Sequence, residues 1–121
     1  MKIPILKLRN ILLTSIQTEL SDEDVMAFQS DVLRALNESE AQGLIIDITA
    51  MDVVDSFMSR LINDTAIQAG MIGAHVVLCG MQPDVALTLI EMGRELIGVK
   101  TALNLDLAFD KIEQLVNQQE G

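Results

Sequence analysis

An α/β fold, with a mixed and mostly parallel sheet flanked by helices, is predicted by three features of this 121-residue chain. Two nearly continuous apolar runs, Leu44-Ile45-Ile46-Asp47-Ile48 and Ala74 to Cys79, have the character of strands covered on both faces. Each is followed by a turn and then by apolar residues at helical spacing, the alternation that builds βαβ units. The opening segment, Ile3 to Ile16, is rich in Ile and Leu and breaks at Arg9-Asn10, so it supplies two short strands or one bent strand and an antiparallel edge.

The elements follow in order. Ser21-Asp22-Glu23-Asp24 reads as a capping-box start with acid on the first turn, and Val25, Phe28, Val32, Leu33 and Leu36 give that helix its apolar face. Gln42-Gly43 ends it ahead of the Leu44 strand. Beyond Ser56, residues Met58, Leu61, Ile62, Thr65, Ala66 and Ala69 form a second apolar face, stopped at Gly70 or Gly73. After the Ala74 to Cys79 strand, Gly80-Met81-Gln82-Pro83 makes a turn in which Pro83 suits a first helical position. Val85, Ala86, Leu89 and Ile90 continue that helix to Gly93, and a short strand is expected around Val99. Leu105, Ala108, Phe109, Ile112, Leu115 and Val116 mark the last helix, with Asn117 to Gly121 expected to fray. Phe28, Phe57 and Phe109 all sit at helical spacing and are expected in the core. One domain over residues 1–121 accommodates all of this.

Composition narrows the function. A net charge of −10, with eight basic residues scattered along the chain, removes the electrostatic basis for binding nucleic acid or anionic membranes. With no Trp or Tyr there is no aromatic platform for stacking bases or sugars. No apolar run approaches the about 18 residues of a membrane span, and the N-terminus lacks a secretory-signal pattern, so a soluble cytoplasmic protein is expected. The lone Cys79 lies inside an apolar run, where a thiol behaves as a small hydrophobe.

The candidate site is Asp55-Ser56, which follows the Leu44 to Ile48 strand and opens a helix. Functional groups collect beyond the C-terminal ends of parallel strands. The first N–H groups of a helix have no intrahelical partner and carry the positive end of its dipole, so a phosphoserine at position 56 would meet donors and favourable potential. Ser and Asp are equally the ordinary residues of a helix cap, and position alone leaves switch and cap both open. One turn on, Ser59 is a weaker phosphoacceptor and Arg60 a cation, both expected on a solvated face. Asp47, Asp52 and Asp55 flank the same turn and suggest an alternative, an autonomous ligand-binding or magnesium-dependent phosphotransfer protein. Against this stand a single His75 placed at a strand start, no nearby basic residue that offers to stabilise a transferring phosphoryl group, Arg60 being read as part of a solvated face, and no glycine-rich phosphate cradle.

A resemblance adds to this reading. Lys2-Ile3-Pro4-Ile5-Leu6-Lys7-Leu8, Ser15-Ile16-Gln17 with Glu19-Leu20, Asp47-Ile48-Thr49, Asp55-Ser56-Phe57, and Gly80-Met81-Gln82-Pro83 leading to Thr88-Leu89-Ile90-Glu91-Met92-Gly93 together resemble the STAS domains, and within them the scaffold (RsbS-type) branch of the bacterial stressosome. The resemblance covers nearly the whole chain and implies a single STAS domain that is not an enzyme and needs no cofactor of its own. It implies co-assembly with RsbR-type STAS paralogues, sequestration of an RsbT-type switch kinase, resetting by a PP2C-type phosphatase, and a homo-dimer or larger assembly. Ser56 matches the family's phosphoserine, and Asp55 its acidic neighbour, as helix cap or kinase contact. Phe57-Met58-Ser59-Arg60 stands where anti-sigma factor antagonists carry a Gly-containing stretch, which implies a role other than direct sigma-factor antagonism.

Overall fold

The computed structural model describes residues 3–17, 21–52, 54–91 and 99–120. Lys2, Glu19-Leu20, Met92-Gly93 and Gly121, which the sequence motifs and helix stops include, lie outside the described residues. The element order is β1 (Ile5–Leu8), β2 (Ile11–Ser15), α1 (Asp22–Ser39), β3 (Gly43–Asp47), α2 (Ser56–Met71), β4 (His75–Cys79), α3 (Pro83–Glu91), β5 (Lys100–Ala102) and α4 (Leu105–Glu120).

The strands form one sheet in the order β1-β2-β3-β4-β5, antiparallel between β1 and β2 and parallel thereafter. Arg9 closes the β1–β2 hairpin at φ 57°, and the Asn10 side chain bonds to the Gln42 side chain while Gln42 N donates to Asn10 O at 2.8 Å. The hairpin turn is thereby pinned to the loop between α1 and β3.

The two apolar runs are buried on both sides because adjacent residues serve different cores. Leu12, Leu44, Val76 and, two residues on, Ile46 and Leu78 face α1, α2 and α3. Ile11, Ile45, Val77 and Cys79 meet Ala108, Ile112 and Val116 of α4 on the opposite face. A side chain at Gly43 would bring its Cβ within 2.7 Å of Ile112 Cγ2, so glycine there permits α4 to approach the sheet.

Several expectations need correcting. Helix α4 continues through Glu120 instead of fraying from Asn117, because Val116 is still buried and the Gln and Glu residues after it are good helix formers. The strand expected around Val99 starts at Lys100. Ile90 is 75% exposed, since Val85 and Leu89 already form the inward stripe of α3. Phe57, expected in the core with the other two, is 44% exposed, while Phe28 is 3% exposed and Phe109 packs against the α4 core. No described helix is long and apolar enough to cross a membrane.

Candidate site at the start of helix α2

The loop that follows β3 is built from short, local hydrogen bonds. Asp47, the last residue of β3, accepts through one carboxylate oxygen from Thr49 N at 2.9 Å and from Thr49 Oγ1 at 2.5 Å. Met51 N donates to Ile48 O at 2.9 Å, and the buried side chains of Ile48, Met51 and Val54 fasten the loop to the core. The neighbouring loop, after β4, grips it from the side: Ile48 N donates to Cys79 O at 3.0 Å, and Gln82 Nε2 donates to Thr49 O at 2.9 Å. Gly80 lies between them at φ 78°. Its missing side chain matters, because a Cβ there would fall 2.0 Å from Thr49 Oγ1 and 2.9 Å from Asp47 Oδ1.

The loop delivers the chain to α2 in a defined way. Asp55 is the N-cap, in extended conformation, and its Oδ1 accepts from Met58 N at 2.8 Å while its carbonyl accepts from Ser59 N at 2.9 Å. Ser56 is therefore the first residue of the helix rather than its cap, and its half-buried side chain makes no hydrogen bond among the described residues. Position alone leaves cap and switch open for Ser56, and the structure gives the cap to Asp55. Replacing Asp55 by Ala is expected to cost about 1 kcal/mol in urea unfolding, whereas Asp55→Asn, which keeps the side-chain acceptor, recovers most of it.

The other sequence candidates separate. Ser59, expected on a solvated face, is fully buried, and its Oγ has no hydrogen-bond partner among the described residues. It stands three residues before Ile62 and seven before Ala66, on the inward stripe of α2, so helical position overrides polarity. Arg60 is exposed, as expected. His75 opens β4, at the opposite end of the parallel strands from Ser56. The carboxylates of Asp47 and Asp55 are engaged with Thr49 and Met58, Asp52 is exposed, and among the described residues no group of three or more His, Cys, Asp or Glu is arranged to hold a metal ion. The metal-cluster alternative thus has no assembled ligand set. The roles of Thr49, Gly80 and Gln82 carry no local signal: Gly80-Met81-Gln82-Pro83 reads as a turn, but nothing in the sequence says which loop a turn will touch.

Beneath the loop, burial pushes the Cys79 thiol up from 9.0 to about 11, and the nearby Asp47 carboxylate adds to the effect. The folded chain keeps this proton where the unfolded chain releases it. Stability is therefore unaffected by this group below about pH 9 and falls as pH rises from about 9 to about 11. Urea midpoints measured across that range should decline more steeply for the wild-type chain than for Cys79→Ala.

With the site defined, comparison with known proteins gives a consistent result. A family model described as "STAS domain" matches residues 2–108. The chain is 38% identical to a Moorella thermoacetica RsbS in which a serine is replaced by glutamate, covering 95% of this chain and 97% of that one with a TM-score of 0.83. It is 40% identical to a chain in a structure titled "Molecular architecture of the stressosome, a signal integration and transduction hub", covering 93% and 98% with a TM-score of 0.81. It is also 26% identical over 92 residues to "RsbT co-antagonist protein RsbRA" of Bacillus subtilis, where the match spans 76% of this chain and 34% of the relative, so the chain corresponds to about a third of that protein's length.

Proposed function

The chain belongs to the STAS family, and from that premise we propose that it is a partner-switching signalling scaffold whose switch is phosphorylation of Ser56. In this reading residues 1–121 act as one STAS domain that assembles in the cytoplasm with RsbR-type paralogues and copies of itself into a stressosome. Its similarity to RsbS and to a stressosome component supports the assembly, and its similarity to an RsbT co-antagonist supports an RsbT-type serine kinase as the partner retained. A PP2C-type phosphatase would restore the unmodified serine. Catalysis and the ATP-magnesium complex belong to the kinase, with this chain as substrate and scaffold.

The observation that carries the proposal is the division of labour at the helix start. Asp55 caps α2, so the Ser56 hydroxyl at the first helical position has no structural bond to give up on modification. Phosphate brings between one and two negative charges, and the helix terminus tolerates them through its dipole and donors. The same charges enter a loop already carrying Asp47, Asp52 and Asp55 on a protein of net charge −10, so a partner resting on this surface meets a changed field while the fold is unchanged. Peptide-resolved mass spectrometry after incubation with magnesium-ATP and an RsbT-type kinase should place phosphate on Ser56 in a kinase-dependent manner. An active kinase that leaves Ser56 unmodified would overturn the proposal.

A further inference from the structure

We propose that Phe57 is the apolar anchor by which the kinase seats itself over Ser56, an inference that rests on Ser56 being the phosphoacceptor. Of the three phenylalanines, Phe28 and Phe109 serve the two cores, and Phe57 alone is an exposed residue, at 44%. Folding does not call for an aromatic residue there. The inward stripe of α2 is complete without it, made of Met58, Ser59, Leu61, Ile62, Thr65, Ala66 and Ala69. What distinguishes position 57 is its place beside the reacting hydroxyl.

Ser56 cannot be drawn out as an extended peptide without breaking the Asp55 cap and lifting Met58, which is 6% exposed, from the core. A kinase therefore has to read the folded surface. In the transfer the Ser56 Oγ–P bond forms as the bond from the γ-phosphorus to ADP breaks, and the hydroxyl proton passes to a base on the kinase. Reacting atoms must come within about 3.5 Å for this, so the kinase has to cover the exposed first turn of α2, which carries both Ser56 and Phe57. Around Ser56 the exposed side chains of Asp52, Asp55 and Arg60 are charged, and ion pairs at an exposed rim contribute little. A rigid aromatic ring with few torsions to freeze, once desolvated, is the kind of group that dominates an interface. The partner is thus a kinase presenting an apolar pocket beside its phosphoryl-transfer centre.

The test is steady-state phosphorylation of the full chain by an RsbT-type kinase, with Ser56 occupancy read by mass spectrometry over a range of scaffold concentrations. Phe57→Ala should raise KM about tenfold or more with kcat within about twofold of wild type, and Phe57→Leu should recover much of the loss. Melting temperatures of both variants should fall by no more than about 5 °C, since Phe57 belongs to neither buried core cluster. A wild-type KM for Phe57→Ala would overturn the anchor, and so would a fall in kcat at unchanged KM, which would mean that the ring only positions Ser56. Absence of phosphate on the wild-type chain is a separate outcome, and it overturns the phosphoacceptor reading on which the anchor rests.

Discussion

A chain carrying Ser56→Ala is expected to hold its kinase in the presence of magnesium-ATP, under conditions in which the wild-type chain releases it. The substitution removes one hydroxyl at a first helical position whose cap is supplied by Asp55, so folding stability should change by no more than about 0.5 kcal/mol. The functional change should be far larger. Two unit charges about 6 Å apart repel by about 0.7 kcal/mol in water and by about 3 kcal/mol at the effective dielectric near a protein surface. A phosphoserine carries up to two such charges, so a single acidic group facing it on the kinase is enough to weaken retention by about tenfold or more, which is about 1.4 kcal/mol. Retention on immobilised scaffold, before and after ATP, is the direct measurement. Equal release from Ser56→Ala and wild type would show that modification elsewhere, or none, drives the exchange. Ser56→Asp is a poorer probe, because one carboxylate reproduces only part of the charge and none of the tetrahedral arrangement of acceptor oxygens of a phosphate.

What could be read from the residues alone follows from how local each determinant is. The sheet and its helices were legible because their signals are periodic: the two apolar runs became β3 and β4, the Arg9-Asn10 break became a hairpin turn, and Ser21-Asp24 formed the capping box with bonds of 3.2 and 3.4 Å. Asp55-Ser56 was legible as a helix start for the same reason, but the allocation of roles between them was not. Either residue can cap, and only the backbone conformation of residue 55 decides it. Ser59 and Phe57 show the limits of assigning burial from polarity. A small hydroxyl was drawn into the core by its place on the α2 stripe, and a large apolar ring was left outside by its place off that stripe. The contact between the two loops was illegible because Thr49 and Gln82 are 33 residues apart in sequence, and no periodicity links them.

That contact sets the second large effect, the expected loss of about 2–5 kcal/mol on Gly80→Ala. The first contribution is conformational: residue 80 sits at φ 78°, where an L side chain costs about 1–2 kcal/mol. The second is steric, since the new Cβ would lie 2.0 Å from Thr49 Oγ1 and 2.9 Å from Asp47 Oδ1, distances that force a shift. The obstructing atoms are not the loose ends of flexible side chains. Thr49 Oγ1 and Asp47 are bonded to one another at 2.5 Å, and the Thr49 carbonyl is held by Gln82, so yielding to the methyl group means giving up bonds worth about 0.5–1.5 kcal/mol each or shifting backbone. Overpacking of this kind ordinarily costs about 1–3 kcal/mol. Urea unfolding should therefore show a lower midpoint at unchanged slope, and the double variant Gly80→Ala/Thr49→Ala should recover part of the steric contribution by deleting the nearest atom while retaining the backbone cost. A single-variant loss below about 1 kcal/mol would mean that the two loops are not locked together. Because this lock holds the chain segment that delivers Ser56 to the head of α2, a folded remnant of Gly80→Ala should also accept phosphate more slowly, through a lower kcat rather than the raised KM expected of Phe57→Ala. The two variants thus separate presentation of the serine from capture of the kinase.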